Sequence, residues 1–199
     1  IIIKSMRRKL YNNKHYKNLK DLYVVSSSEI NKLSFLKNNK SLISVVHKKN
    51  QKKESIDFSN LIIALDSVSD PGNLGTIIRI ADWFNIKSIL CSKNTVDLYN
   101  SKVIQSSMGS FTRVDVFYDN LEDIMGSKDI SVFGTSTDGT DINNFEKPDK
   151  GIILFGSESQ GVREHLKKYV DKWISVKKNG GAESLNVSVS VGIILHKLT

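Results

Sequence analysis

Three short segments of the sequence combine glycine-containing turns with polar side chains that could do chemistry. The first, residues 70–79, reads DPGNLGTIIR and carries Asn73 and Arg79. Its proline and glycine indicate a tight turn that leads into a helix, and Asn73 could cap that helix. Arg79 follows nearly two helical turns later, where its permanent, forked charge suits a phosphate or a developing oxyanion. A surface arginine on a capped helix fits the same pattern.

The second and third segments have the same character. Residues 155–161 read FGSESQG and place Glu158 between two glycines. Glycine lets the backbone approach a ligand closely, and Glu158 could hydrogen-bond a hydroxyl or orient a base. Residues 180–189 read GGAESLNVSV and contain Ser184, a natural N-cap. An ordinary strand-to-helix turn explains the second segment equally well, and a capped helix or a strand explains the third.

Alternating strands and helices must position these segments. Continuous apolar runs over 61–65 and 151–155 indicate strands buried on both faces, and the apolar spacing over 74–84 indicates a helix. The alternation favours an α/β fold with a mostly parallel sheet and helices on both faces. Such sheets bind ligands beyond the carboxyl ends of their strands, where two of the glycine-containing turns fall. The other predicted elements are strands over 22–26, 42–46, 86–91, 113–118, 131–135 and 173–176, and helices over 4–20, 28–36, 101–108, 120–125 and 163–170.

The last segment of the chain is ambiguous. Leu185, Val187, Val189 and Val191 alternate with polar residues, which is the period of a strand. Residues 192–198 are more typical of a helix. Periodicity alone therefore predicts a strand followed by a helix.

Composition limits the class of protein. The 199 residues accommodate one ordinary domain, or one domain with a short appendage. A single cysteine, Cys91, and four scattered histidines predict neither a disulfide nor a metal site. The apolar runs are too short to span a bilayer and no secretory signal is apparent, so we expect a cytoplasmic protein without a membrane partner. The dinucleotide, P-loop and nucleophile-elbow motifs are absent from the sequence.

Positive charge is concentrated at the beginning of the chain. Residues 1–55 hold 14 Lys and Arg against three Asp and Glu, a net charge of +11, whereas residues 56–199 carry −3. We place a domain boundary between these ranges, after the lysine-rich stretch 48–55. A basic module beside a near-neutral body suits a nucleic-acid partner, although a merely solvated basic segment has the same composition.

Taken in order, the three segments resemble the sequence motifs of the SpoU (TrmH-like) family of SPOUT RNA methyltransferases, over roughly residues 60–198. The stretch SLNVSV at 184–189 is the most specific part of the match. The spacing from Asn73 to Arg79 and the turn around Glu158 agree with it. Three modest motifs in the family's order make a specific signal.

The resemblance implies a C-terminal trefoil knot in the α/β fold and a short basic N-terminal RNA-binding module. It implies that residues 185–198 form the final helix, against the period-two pattern. It also implies methylation of a ribose 2′-hydroxyl in ribosomal or transfer RNA, with S-adenosylmethionine as cofactor. The enzymes of the family act as homodimers, with the active site near the subunit interface.

The resemblance assigns roles residue by residue. The implied catalytic residues are Asn73, Arg79, Glu158, Ser184 and Asn186. The implied cofactor-binding residues, which would act through backbone groups, are Thr135, Gly156, Gly161, Val176 and Leu185. Arg79 would act as a base or, because arginine keeps its charge in proteins, as an electrostatic stabiliser.

Two positions depart from the family pattern. Lys177 stands where the family usually has proline, and Gln105 where an arginine is common. A catalytically inactive knotted RNA-binding protein is therefore an alternative, although the five implied catalytic residues are all present. A different α/β enzyme, acting on a nucleotide or a small phosphorylated substrate, is a second alternative, which the basic first quarter of the chain disfavours.

Overall fold

A computed structural model of the chain describes residues 2–3, 22–34, 42–48, 53–126 and 129–199. The chain divides into two compact units, Ile1–Asn50 and Gln51–Thr199. The sequence-based boundary after residue 55 stays a prediction, and the basic helix predicted over residues 4–20 lies outside the described residues.

The described part of the first unit contains two short strands and one helix. Strand β1 (Ile2–Ile3) pairs in parallel with β2 (Val24–Val25). Helix α1 (Ser27–Leu33) begins after Ser26, whose hydroxyl accepts the backbone N–H of Glu29 at 3.3 Å. The Glu29 carboxylate in turn accepts the backbone N–H of Ser26 at 2.8 Å. This reciprocal capping box fixes where the helix begins.

The second unit is built on a six-stranded sheet in which every described pairing is parallel. Its strands are β3 (Leu61–Leu65), β4 (Ser88–Cys91), β5 (Asp115–Tyr118), β6 (Val132–Asp141), β7 (Gly151–Phe155) and β8 (Lys172–Ser175). Its helices are α2 (Pro71–Trp83), α3 (Ser101–Ser106), α4 (Leu121–Gly126), α5 (Glu164–Lys167) and α6 (Val187–Leu198). Single 3₁₀ turns occur at Lys53–Ser55, Ser110–Thr112 and Ile142–Asn144.

The strand order β5-β4-β3-β7-β6-β8 places β3 and β7, both fully buried, side by side at the centre. Leu61 lies opposite Gly151 and Leu65 opposite Phe155, so both strands end at the same level. The chain leaves β3 toward one edge of the sheet and enters β7 from the other side. Ligands bind at such a switch point in open parallel sheets, and two of the three chemically interesting segments leave the sheet there.

Alternate residues of β3 enter two separate hydrophobic cores. Leu61, Ile63 and Leu65 belong to one core, together with apolar residues of α2, α3 and α6. Ile62 and Ala64 belong to the other, together with residues of α4 and α5. The predicted parallel sheet with helices on both faces is confirmed. Each core removes a large apolar area from water, the main stabilising term in folding.

The C-terminal segment forms a helix. The period-two prediction of a strand over 185–191 is wrong, because the residues that enter the core follow helical spacing: Val187, Val191, Ile194, Leu195 and Leu198. Val189 lies on the outer face. The helix that the resemblance implied is present and begins at Val187.

Other differences are local. The strand predicted over 42–46 is wrong, since residues 43–46 have no regular structure and the side chains of Val45 and Val46 are exposed. Strand β6 is six residues longer at its end than the predicted 131–135. No helix in the described ranges has both the length and the apolar character needed to cross a bilayer.

Candidate active site

Asp70 fixes the start of helix α2. Its carboxylate accepts the backbone N–H of Asn73 at 2.9 Å, and Pro71 occupies the first helical position, which proline favours. The interpretation of Asn73 as the cap is therefore wrong. Asp70 already satisfies that backbone N–H, so the Asn73 side chain is available for contacts outside the helix.

Asn73 connects the three chemically interesting segments. Its side-chain nitrogen donates to the Glu158 carboxylate, and its side-chain oxygen accepts from the side-chain nitrogen of Asn186 at 2.9 Å. These partners lie 85 and 113 residues away along the chain. The structure thus brings Asn73, Glu158 and Asn186 together.

Asn186 is itself oriented by helix α6. Its side-chain oxygen accepts the backbone N–H of Ser188 at 2.9 Å and that of Val189 at 3.4 Å, and also the Ser188 hydroxyl at 2.6 Å. Asn186, and not Ser184, is the N-cap. Because its oxygen faces the helix, its nitrogen faces Asn73. The hydrogen bonds therefore run in one direction, from α6 through both asparagines to the Glu158 carboxylate, which is an acceptor when ionised.

Two glycines close the loop that carries Glu158. Ser157 and Gly161 exchange backbone hydrogen bonds of 3.1 and 2.9 Å, and Gly161 has a φ of 64°. A Cβ on Gly156 would overlap the Gly161 carbonyl carbon and the Val162 nitrogen. Only glycine allows this close backbone approach, so the loop has a tightly defined shape with Glu158 exposed at its tip.

A cavity of about 770 Å³ lies where the segments after β7 and β8 meet the middle of β6. All five residues implied to bind the cofactor line it: Thr135, Gly156, Gly161, Val176 and Leu185. Glu158 and Ser184 also line it, whereas Asn73 joins it through its hydrogen bond to Glu158, and Asn186 through its hydrogen bond to Asn73. The described lining residues do not include Arg79.

A bulge in β6 forms one wall of the cavity. Both Thr135 and Thr140 lie opposite Ile174 of β8, so residues 136–139 leave the regular pairing. The Ser175 hydroxyl holds the bulge by donating to the carbonyl of Gly139 at 2.8 Å. The polar residues of this bulge are not among the site residues predicted from the sequence. Its signal is the run STDG, which interrupts an apolar strand.

Trp173 is a second lining residue that the sequence analysis missed. It packs on β6 so closely that a Cβ on Gly134 would lie 2.6 Å from its ring. Gly134 and Trp173 both lie outside the three glycine-containing segments, so those segments could not indicate this contact. The ring gives the cavity an apolar, polarisable surface.

Arg79 lies elsewhere on helix α2. Six residues separate it from Asn73, which turns its side chain about 120° around the helix axis. Its side chain is exposed and has no ion-pair or hydrogen-bond partner within the ranges that the structure describes. One turn further, Trp83 is 84% exposed. The structure therefore does not bring Arg79 to the cavity.

Titratable groups outside the site show no metal-binding arrangement. No group of three or more His, Cys, Asp or Glu side chains among the described residues could hold a metal ion. Cys91 is fully buried in β4, and this burial raises the pKa of its thiol. The thiol is therefore kept neutral and unreactive.

The fold and the site together define a class of protein: a parallel α/β domain with a glycine-walled ligand cavity beyond the carboxyl ends of its strands, and a polar asparagine–carboxylate cluster beside it. The chain belongs to the SpoU rRNA methylase family, whose model matches residues 60–196. The resemblance inferred from the three motifs is confirmed.

Two relatives illustrate the similarity. The chain is 31% identical over 150 residues to the 23S rRNA (guanosine(2553)-2′-O)-methyltransferase RlmP of Bacillus subtilis, which covers 73% of this chain. It is 29% identical over 149 residues, 72% of this chain, to the 23S rRNA (guanosine-2′-O-)-methyltransferase RlmB of Neisseria meningitidis. Each match spans 60% of the length of the relative.

A solved structure has the same fold over nearly the whole chain. The SpoU methyltransferase AviRb from Streptomyces viridochromogenes, in complex with the cofactor AdoMet, superposes with a TM-score of 0.82. The match covers 99% of this chain and 80% of that protein at 20% identity. At 20% identity, this similarity is evidence for the fold alone.

Proposed function

We propose that this protein methylates a ribose 2′-hydroxyl in ribosomal or transfer RNA, with S-adenosylmethionine as the methyl donor. The observation that carries the proposal is the hydrogen-bonded chain Asn186–Asn73–Glu158 at the cavity, because it unites the three motifs of the family. The names of the relatives, two rRNA 2′-O-methyltransferases, support the reaction. The AdoMet complex of AviRb supports the cofactor.

The cavity fits this cofactor. Its volume of about 770 Å³ lies in the range of small-molecule sites. A Cβ at Gly156 would overlap the backbone of Gly161 and Val162, so glycine there preserves the shape of the cavity wall. Leu185 and Val176 supply apolar surface. The lining carries three carboxylates, of Asp138, Glu158 and Glu183, and three ammonium groups, of Lys167, Lys177 and Lys178. Both the sulfonium and the carboxylate of the donor can therefore lie near opposite charge. When bound, the donor supplies an activated methyl group.

Asn73 and Glu158 are placed to orient the ribose. An asparagine side chain carries two N–H donors, and Asn73 uses one of them on Glu158. The second N–H and the free lone pairs of the carboxylate could hold a hydroxyl between them. Fixing the acceptor oxygen in this way lowers the entropic cost of reaching the reacting geometry. Ser184 and Asn186 belong to the segment that forms the wall between cofactor and RNA.

The proposal includes a homodimer, because Arg79 does not reach the cavity of its own subunit. Arg79 and Trp83 share an exposed face of α2, and exposed Val189 lies on α6. The two helices pack into one core, and the ring of Phe84, directly after α2, lies 6.4 Å from the ring of His196 in α6. If a second copy packed on this face, Arg79 of one subunit would reach the cavity of the other. Its positive charge would there stabilise the developing alkoxide or an adjacent phosphate.

Two further features implied by the family belong to the proposal. A trefoil knot would involve residues 176–186, which connect β8, at the edge of the sheet, to α6, which packs against α2. Residues 1–55, with a net charge of +11, would bind the RNA backbone. We place the protein in the cytoplasm, where ribosomal and transfer RNA reside.

A labelled-methyl assay tests the function. The protein is incubated with labelled S-adenosylmethionine and total RNA from cells that lack it, and the labelled ribose is then mapped. We expect transfer to one nucleotide by the wild type. Arg79→Ala should abolish transfer and leave the cofactor dissociation constant unchanged, whereas Glu146→Gln, an exposed charge away from the site, should behave as wild type.

Two results would contradict the proposal. If calorimetry with S-adenosylmethionine detects no binding, the catalytically inactive RNA-binding alternative is favoured. Lys177, in place of the family's proline, lines the cavity and is the residue to replace first in that event. If Arg79→Ala turns over at the wild-type rate, Arg79 has no role in the reaction.

A further inference from the structure

A buried carboxylate contacts the end of the loop that carries Glu158. Asp66 follows β3 and its side chain is fully buried. Its Oδ2 accepts the backbone N–H of Arg163 at 2.9 Å, and its Oδ1 accepts the Nε–H of the same residue at 2.7 Å. The Nη2 of Arg163 is 2.7 Å from Oδ1, and the Ser67 hydroxyl donates to Oδ1 at 3.2 Å. One arginine therefore engages both carboxylate oxygens.

The position of Arg163 gives this ion pair its significance. Arg163 follows Gly161 by two residues and precedes helix α5. The loop between Phe155 and Arg163 is held at its first end by the sheet, where Phe155 accepts the N–H of Asp66 at 2.8 Å. Its far end is held by the Asp66 carboxylate. Gly156, Glu158 and Gly161, which line the cavity, all lie between these two anchors.

The same carboxylate also belongs to the segment that leads to Asn73. Residues 66–73 connect β3 to the first turn of α2, and they contact the Glu158 loop twice, through Asp66–Arg163 and through Asn73–Glu158. Two contacts at separate points restrict both the distance and the rotation between the segments. Without the Asp66–Arg163 contact, the loop would be held only at Phe155 and at Glu158, and its far end could move.

An ion pair is a costly way to fill this space. Burying a carboxylate loses its hydration, and apolar side chains of similar volume often give equal or greater stability. The forked guanidinium and the backbone N–H, however, restrict the direction of approach, which apolar packing does not. A buried ion pair at a site wall therefore suits accurate placement better than it suits stability.

We infer that Asp66 and Arg163 are positioning residues, which hold the loop 156–161 in the shape that binds S-adenosylmethionine and presents Glu158 to Asn73. This inference rests on the proposed function. The pair acts on the cofactor through the loop, since neither residue lines the cavity.

Two conservative variants test the inference. Asp66→Asn keeps the shape and an acceptor but removes the charge, and Arg163→Lys keeps the charge and the backbone N–H but removes the fork. The matched control is Arg113→Lys, because Arg113 makes the same kind of fork to Asp82, at 2.9 and 2.6 Å, away from the cavity. For each protein we would measure the S-adenosylmethionine dissociation constant by calorimetry, the Tm, and the rate of transfer at saturating cofactor.

We expect Asp66→Asn and Arg163→Lys to weaken cofactor binding by roughly tenfold to a hundredfold, the scale of effect that small misplacements have at active sites. The Arg113→Lys control should bind like the wild type. Saturating cofactor should restore most of the transfer rate, because the ligand selects the correct loop shape. A purely structural role would lower the Tm and leave the dissociation constant of the folded protein unchanged.

The outcomes separate this inference from the function on which it rests. If the wild type binds no S-adenosylmethionine, the proposed function fails first. If the wild type binds and both variants bind within threefold of it, the positioning role is wrong while the function stands. Should Asp66→Asn fail to fold, Arg163→Lys decides the matter, since it leaves the backbone hydrogen bond to Asp66 in place.

Discussion

The side-chain nitrogen of Asn186 donates a hydrogen bond of 2.9 Å to the side-chain oxygen of Asn73, across 113 residues of sequence. The amide of Asn186 cannot reverse without loss, because its oxygen accepts two backbone N–H groups at the start of α6. The amide of Asn73 is therefore oriented as well, and its nitrogen is directed toward Glu158. The segment that walls the cavity thus determines how the Glu158 carboxylate is held.

Replacing Asn73 with alanine breaks this chain at its centre. We expect Asn73→Ala to reduce methyl transfer by about 100-fold or more, because the acceptor is no longer oriented. Cofactor affinity should fall much less, since Asn73 does not line the cavity. The measurements are the labelled-methyl assay and calorimetry with S-adenosylmethionine.

Asn143→Ala is the matched control for that experiment. Asn143 is exposed, and its side-chain nitrogen donates to Asp141 at 3.0 Å within its own turn. It should leave both transfer and binding at wild-type values. Equal losses in the two variants would show that Asn73 is important for the fold and not for orientation of the carboxylate.

The close approach of Gly156 to the backbone of Gly161 and Val162 leads to a second expectation. A methyl group at this position would overlap the backbone of Gly161 and Val162, which cannot move aside as a flexible side chain can. Gly156→Ala should therefore abolish cofactor binding and destabilise the fold by about 3 kcal/mol, the upper part of the range for overpacking. Chemical denaturation and calorimetry measure the two effects.

Gly181→Ala provides the comparison. A Cβ at Gly181 would meet no atom within 4 Å, and the residue does not line the cavity. It should cost little stability and leave binding intact. If Gly156→Ala bound S-adenosylmethionine with wild-type affinity, the loop would open readily, and the close backbone approach at Gly156 would have no role in binding.

The sequence predicted the centre of the fold most accurately. Strands β3 and β7 have the predicted bounds, 61–65 and 151–155, because a strand buried on both faces is a continuous apolar run between turns. Helix α6 could not be predicted from periodicity. Its exposed Val189 continues the alternation of Val187 and Val191, so the pattern does not mark the buried face. The family resemblance supplied the helix.

The part of the site that lies in the three family motifs could be predicted from the sequence. Asn73, Glu158 and Asn186 lie in three recognisable segments, and the structure brings them together. The Asp66–Arg163 pair was not predictable, because its members are 97 residues apart and each resembles an ordinary surface charge in the sequence. For the bulge of β6, the polar run 136–139 marks an interruption of the strand, but local sequence does not encode the pairing with β8.

The Asp82–Arg113 ion pair should make a small, pH-dependent contribution to stability. A hydrogen bond from Arg113, and to a smaller extent one from Ser110, holds the pKa of Asp82 below its ordinary value. A lowered pKa in the folded state means that the contribution is complete above the ordinary value of about 4 and is lost as the pH falls below it. Arg113 is 57% exposed, so solvent screening keeps the contribution small.

Urea denaturation of the wild type and of Asp82→Asn checks this expectation. The variant should be less stable at pH 7, and the difference should shrink as the pH is lowered from about 4 toward 3. Glu146→Gln, which replaces an exposed carboxylate, serves as the control. A difference between wild type and Asp82→Asn that does not change with pH would exclude ionisation of Asp82 as its cause.

Cys91 should report on opening of the sheet. Its thiol lies in β4 between β3 and β5, and burial raises its pKa, so the reactive thiolate is suppressed. We expect no reaction with an aromatic disulfide reagent at pH 8 until urea unfolds the protein. S-adenosylmethionine at 100 times its dissociation constant should slow labelling about 100-fold, if labelling requires global unfolding. Rapid labelling of the native protein would contradict the closed sheet.

Mixed dimers test whether Arg79 acts across a subunit interface. Asn73→Ala and Arg79→Ala subunits should each be inactive alone. In a heterodimer, the site that contains Asn73 receives Arg79 from the other subunit and is complete, while the second site lacks both. Random exchange of equal amounts should therefore restore about a quarter of wild-type transfer, because half of the dimers are mixed and each has one complete site.

The same experiment distinguishes the alternatives for Arg79. If Arg79 serves the cavity of its own subunit, every site in the mixture has one defect and activity stays absent. A control mixture of Asn73→Ala with Glu158→Gln should remain inactive in either case, since both residues belong to one cavity. Trp83→Ser should abolish complementation by removing the exposed ring from the shared face, and sedimentation should then show monomers. Complementation that survives in a monomeric Trp83 variant would refute the arrangement.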